Sequence, residues 1–106
     1  MIETKLYIGL NDADTLKQER ETTFYIDVLK KACIQYGIPF SFDVRQGGYI
    51  HEDGRYTEER TLVLSLIDVD RDKANAIAKD LCERFNQESV LITEDRVRAY
   101  FVSDEE

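Results

Sequence analysis

The sequence predicts an α+β domain in which four antiparallel strands and two helices follow one another in the order βαββαβ. Three observations carry that prediction. Two stretches repeat apolar residues at helical spacing, each in one half of the chain. Strict apolar–polar alternation marks strands on either side of them. Between the halves lies a long Gly- and Tyr-containing hairpin signal, "GGYIHEDGRYTEER". Right-handed crossovers place both helices on one face of the sheet, with the first and third strands central. This is the split-βαβ, ferredoxin-like arrangement.

The first strand is "KLYIGL", where Leu6, Ile8 and Leu10 share a face opposite Lys5, Tyr7 and Gly9. "NDADTLKQERE" follows, polar and aperiodic, at a length typical of loops that carry function or move. Thr22 or Thr23 is positioned to cap the first helix, whose stripe is Tyr25, Leu29, Ala32, Cys33 and Tyr36. Gly37 ends it, with Pro39 two residues on. In the second strand Ile38, Phe40, Phe42 and Val44 alternate with Ser41, Asp43 and Arg45, and Gly47–Gly48 marks a bulge or bend within it rather than its end. Asp53–Gly54 predicts a type I′ turn. The third strand, "TLVLSLI", is almost continuously apolar, as a central strand should be. Asp68, Asp70 and Asp72 lead into the second helix, with Ala74, Ile77, Ala78, Leu81, Cys82 and Phe85 on its stripe. "SVLIT", a polar turn at Glu94–Asp95 and "VRAYFV" read as a final strand that is bent or extended by a short hairpin. The expected core is Leu6, Ile8, Leu29, Cys33, Phe40, Phe42, Leu62, Leu64, Leu81 and Phe85. Residues 1–102 form the single domain and 103–106 an acidic tail.

Composition narrows the function classes. At 106 residues the chain can bury one core. The N-terminus lacks the basic and apolar regions of a signal peptide, and no apolar run approaches membrane-spanning length, so a cytoplasmic protein is expected. Twenty-two acidic against fourteen basic side chains give a net charge of −8, which disfavours direct nucleic-acid binding and fits either simple solubility or a partner protein with a basic surface. Cys33 and Cys82 fall on the two helical stripes, as inert reduced thiols would.

Chemical motifs are sparse. Asp68-x-Asp70-x-Asp72 begins like a calcium loop, but Lys73 and Lys79 occupy the positions that need glycine and glutamate. The lone His51 and the absence of paired cysteines at ligand spacing speak against zinc. No phosphate-cradling glycine loop precedes a helix. No metal, cofactor or catalytic residue is therefore expected, and the chain is read as a non-enzyme.

"KLYIGL", "GGYIHEDGRYTEERTLVL" and "FNQESVLI" together resemble a family of small bacterial and phage-type domains of unknown function, over about residues 4 to 102. The segment Phe85–Leu91 is the most specific part. The resemblance implies the fold and transfers no catalytic residue. Within that segment, Gln87, Glu88 and Ser89 are suited to satisfy helix-end carbonyls and strand-start amides.

The site expectation centres on the hairpin. Tyr49, His51, Glu52, Asp53, Arg55, Tyr56, Glu58 and Glu59 make an aromatic and charged element longer than the sheet needs, with Tyr49 and His51 on one face. The favoured function is a small acidic protein–protein interaction module, such as a phage or mobile-element inhibitor of a host defence system of the anti-CRISPR kind. The alternative is a regulatory domain that senses a small ligand or nucleotide, with Arg45, Arg55, Arg60, Tyr49 and His51 gathered around an anion. A third reading pairs His51 with a carboxylate as acid and base. A homodimer is expected across the uncovered sheet face, to which Tyr7, Val63, Ile67 and Tyr100 belong, or along strand 97–102.

Overall fold

The computed structural model describes residues 1–105, so Glu106 of the acidic tail lies outside the described residues. The chain runs β1 (Ile2–Gly9), α1 (Thr22–Tyr36), β2 (Ser41–Ile50), β3 (Tyr56–Ile67), α2 (Arg71–Arg84), β4 (Leu91–Arg96). The four strands form one antiparallel sheet in the order β2-β3-β1-β4, with β1 and β3 in the middle. The predicted βαββαβ ferredoxin-like fold is the observed one.

One face of the sheet is closed by both helices. Leu6, Ile8, Leu62, Leu64 and Leu66 meet Leu29 and Cys33 of α1 and Ile77 and Leu81 of α2, all buried. Phe85 caps the end of the stripe and packs edge-on against Tyr25, ring centroids 5.0 Å apart. Phe40 and Phe42 depart from the expected core. Phe42 in β2 and Phe40 just before it are only half-buried, because β2 is an edge strand and the helices cover just its inner margin. Val44, further along, is exposed. On the opposite face Tyr7, Val63, Leu91 and Ile67 share one side by register. Val63 is buried there, Tyr7 is half-covered, and the Arg45 guanidinium lies 5.8 Å from the centre of the Tyr7 ring.

The element ends follow local chemistry. Thr22 is the first residue of α1, and Glu21 before it makes no side-chain cap, so the expected threonine cap does not form. The Thr22 hydroxyl instead accepts from Gln18 Nε2 at 3.0 Å. Gly37 closes α1 in the left-handed region, φ 67°, where a side chain is disfavoured. Asp70 caps α2, its carboxylate accepting from the Asp72 and Lys73 amides. Cys33 is buried, which pushes its thiol up to about 11. Cys82 is half-buried, and its thiol donates to the Gln87 carbonyl at 3.1 Å.

Three strand predictions are corrected. β2 runs without interruption through Gly47–Gly48, and the Tyr56 ring fills the space over Gly48. A Cβ on Gly48 would stand 2.7 Å from that ring. The hairpin turn is not type I′, because only Gly54 has positive φ (88°). The Gly54 amide donates to the His51 carbonyl, and the His51 amide to the Arg55 carbonyl, which makes a wider turn with the glycine at its left-handed position. Finally, β4 continues straight through Glu94–Asp95. Glu94 is tolerated there because its carboxylate receives both Nε and Nη2 of Arg71 at 3.1 and 2.9 Å. The segment 97–102 is not a strand, since pairing with β1 ends at Ile2↔Arg96 and the Val97 amide meets the Met1 carbonyl. Tyr100 lies in this segment, and not on the sheet face.

The molecule measures 57 × 27 × 26 Å. Its length comes from the β2–β3 ribbon: β1 pairs with β3 no further than Gly9↔Thr61, while β2 and β3 stay paired to Ile50↔Tyr56. The ribbon from Gln46 to Arg60 therefore projects past the sheet.

Candidate functional site

One face of that ribbon, from Glu59 near its base to His51 at the turn, forms one wall of a cleft of about 370 Å³. Tyr49, His51 and Glu59 line it from the ribbon. Asn11, Asp12 and Leu16 come from the polar loop between β1 and α1, and Gln87, Glu88 and Ser89 from the α2–β4 connection. Period two explains the ribbon's contribution, since Tyr49, Thr57, Gly47 and Glu59 are cross-strand partners on one face. The His51 ring lies against Tyr49, centroids 4.7 Å apart, and its Nε2 shares a hydrogen bond of 2.8 Å with Thr57 Oγ1.

Glu59 owes its position to two neighbours. Its Oε2 accepts from the Asn11 amide at 3.0 Å. Its carboxylate also lies against Gly9, where an added Cβ would come within 2.6 Å of Oε2. Glycine at the end of β1 thus leaves room for a carboxylate above the sheet. Asn11 further donates from Nδ2 to the Glu58 carbonyl, which locks the loop to the edge of β3.

The loop itself is built on Asp12. Oδ1 accepts from the Asp14 and Thr15 amides at 2.8 and 3.1 Å, an Asx turn. Oδ2 accepts from Asn86 Nδ2, which also reaches Asp14. Asn86 sits just past α2 with φ 49°, a conformation asparagine tolerates better than most residues. Its carbonyl accepts the Ala13 amide, and Gln87 Nε2 donates to the Asn11 carbonyl at 2.6 Å. The "FNQES" segment thus clamps the loop to the end of α2. Gln87 satisfies one helix-end carbonyl, that of Phe85, at 3.4 Å, but its shorter bond is to the loop.

This clamp has a pH signature. The Asn86 amide, then the Thr15 and Asp14 N–H groups, hold the Asp12 carboxyl below its ordinary 3.8. A carboxyl with a depressed folded pKa contributes stability that is complete above 3.8 and lost as the pH falls through the lowered value. Asn86→Ala removes the largest cause, so carboxyl NMR titration should show the Asp12 pKa moving up towards 3.8. An unmoved titration would mean that the loop amides alone set it.

The expected site residues do not all converge. Tyr49, His51 and Glu59 share the cleft. Tyr56 and Glu58 occupy the other face of the ribbon, with Glu58 accepting from Gln46 Nε2 at 3.2 Å. Asp53 and Arg55 pair with each other at the tip at 2.7 Å, and Glu52 is exposed beside them. Arg45 and Arg55 are absent from the cleft lining, so the anticipated arginine cluster around an anion does not form there. Asn11, Asp12, Leu16 and Asn86 were not expected in a site. The signal for them was the aspartate-rich loop after β1, which is suited to Asx turns. Among the described residues, no group of three or more His, Cys, Asp or Glu is arranged to hold a metal ion, and no helix is long and apolar enough to cross a membrane.

Fold and cleft together define a small ferredoxin-like α+β domain with a pocket against one face of its long hairpin. No family model and no curated protein matches the chain. Solved structures do. The chain is similar to a phage SAM lyase in complex with S-methyl-5'-thioadenosine, with a TM-score of 0.67 and 23% identity over 89% of this chain and 79% of that one. It is also similar to the GlnK–ATP complex of B. subtilis, with a TM-score of 0.53 and 14% identity over 89% and 82% of the two chains. CutA1 from Pyrococcus horikoshii has a TM-score of 0.54 and 14% identity, over 99% and 89%. At these identities the likeness is one of fold.

Proposed function

We propose that the domain binds a small adenosine-type ligand with a neutral or cationic substituent in the cleft between Tyr49, Glu59 and the Asp12 loop. One observation carries this reading: the cleft lining combines an aromatic pair with the carboxylates Asp12, Glu59 and Glu88 and contains no lysine or arginine. The Tyr49 and His51 rings, tilted 57° to each other, offer an aromatic face to a purine, and carboxylates accept from ribose hydroxyls and amino groups. The same carboxylates repel a triphosphate and attract a sulfonium. Of the ligands named with fold neighbours, S-methyl-5'-thioadenosine and its SAM parent therefore fit this lining better than ATP does. The ligand-sensing alternative gains on the protein-inhibitor reading, because the hairpin's aromatic pair faces a cleft of its own chain.

The same lining supports a second reading, in which a bound sulfonium nucleoside is turned over. When the C–S bond breaks, the sulfur keeps the electron pair and leaves as a neutral thioether. The released carbon is closed either by the substrate's own carboxylate as a lactone or by loss of a neighbouring proton as an alkene. Glu59 orients the substrate in the first case and accepts that proton in the second. Isothermal titration with SAM, S-methyl-5'-thioadenosine and ATP, followed by chromatography of SAM incubated with the protein, separates the readings. Binding of either sulfur nucleoside over ATP without new thioether product supports a sensor. Formation of S-methyl-5'-thioadenosine faster than in a protein-free incubation supports the lyase. Preference for ATP, or no binding, overturns both.

A further inference from the structure

The C-terminal segment is the most exposed apolar stretch in the chain. Tyr100, Phe101 and Val102 are 78%, 92% and 83% exposed, in sequence, in a segment with no partner strand among the described residues. Three consecutive aromatic and β-branched residues are strong strand formers, and their exposure is costly. A second feature of the fold is incomplete in the complementary sense. The projecting ribbon has only two strands, and a two-stranded ribbon in water is marginal without a third. The outer edge of β2 is open, and beside it Tyr49, Ile50 and Tyr56 are all exposed.

We propose that the segment Val97–Val102 of one copy adds as a strand to the outer edge of β2, at Gln46–Ile50, in a second copy of this chain. Length fits, since six residues at about 3.3 Å each span the five-residue ribbon edge. Charge fits as well. Run antiparallel to β2, the segment brings Arg96 and Arg98 towards the ribbon tip with its Glu52 and Asp53, and the acidic residues Asp104 and Glu105 that follow it leave past Arg45. Geometry selects a second copy over the chain's own tail. The tail leaves β4 beside Met1, at one end of β1, and the ribbon begins beyond Gly9, at the other. Eight residues of β1 separate the two ends by roughly 26 Å, and β2 lies three strand spacings from β4, roughly 14 Å more. Six extended residues reach about 20 Å and cannot double back that far. Between copies the exchange buries both exposed elements, in a strand-addition contact whose backbone bonds supply the affinity. Because each copy both gives a tail and receives one, two copies that exchange tails reciprocally, or a ring of more copies, would satisfy every tail and every edge.

The test is sedimentation with hydrogen exchange on the intact chain and on the double variant Tyr100→Asp with Phe101→Asp. Both side chains are too exposed for the change to disturb the monomer fold, which circular dichroism checks. The parent is expected at an integral multiple, two or more, of 12.4 kDa at micromolar concentration, and the variant at 12.4 kDa. Amides of Gly47–Ile50 should lose protection in the variant. A monomeric parent, an oligomer that survives the double substitution, or ribbon protection equal in the two proteins each overturns the proposal.

Discussion

Leu64→Ala should lower the unfolding free energy by about 2–5 kcal/mol, read as a shift of the denaturant midpoint with the m-value unchanged. Leu64 is fully buried at the centre of β3, opposite Leu6 on one side and Phe42 on the other. Its side chain meets the layer where both helices close over the sheet. Alanine there removes apolar burial and leaves a space whose lining cannot relax, because β1 and β2 hold β3 by backbone bonds on both edges. A control sits on the same sheet. Leu91→Ala removes a side chain that is 61% exposed, and it should change stability by no more than about 0.5 kcal/mol. An unchanged midpoint for Leu64→Ala would take β3 out of the structural centre.

Glu59→Gln should weaken binding of a sulfonium nucleoside by about 10- to 100-fold, the loss expected when a charged hydrogen-bond partner becomes neutral. The substitution keeps the shape of the side chain and its bond from the Asn11 amide, so the loop should remain in place. A neutral thioether ligand should lose less, because it has no charge for the carboxylate to face. Gly9→Ala is a companion change. The new Cβ would meet the Glu59 carboxylate and push it off its position without altering its charge. Loss of affinity in both variants would assign the effect to the carboxylate's location over Gly9. Equal affinity in parent and Glu59→Gln would remove Glu59 from the site.

Glu59 also shows how much of this protein is legible in one dimension. The helical stripes that bury Leu29 and Cys33 in α1, and Ile77 and Leu81 in α2, are local periodicities, as is the alternation that turns Leu6 and Ile8 inward. Elements, their order, the central place of β3 and the projecting hairpin follow from such patterns, because each reflects a backbone repeat a few residues long. Period two likewise places Tyr49 and Glu59 on one face of the ribbon. The joining of that face to Asn11, Asp12 and Gln87 is different in kind. It depends on hydrogen bonds spanning 48 to 76 residues, from Asn11 to Glu59 and from Gln87 to Asn11. No local period records such a pairing.

The departures from expectation share that cause. Phe42 alternates as well as Leu64 does, yet it is only half-buried, because helix coverage stops at the sheet edge. Glu94–Asp95 has turn chemistry, but β4 runs through it because Arg71 of α2 meets Glu94 from another element. "VRAYFV" has strand chemistry, but the sheet offers it no neighbour beyond Met1. Propensity and patterning are properties of a few adjacent residues, and they determine which elements form and which face each one buries. Which strand ends find a partner, which carboxylate is paired, and which side chains from distant segments share a cleft depend on long-range packing, where the free energy lies in contacts between residues far apart in the chain.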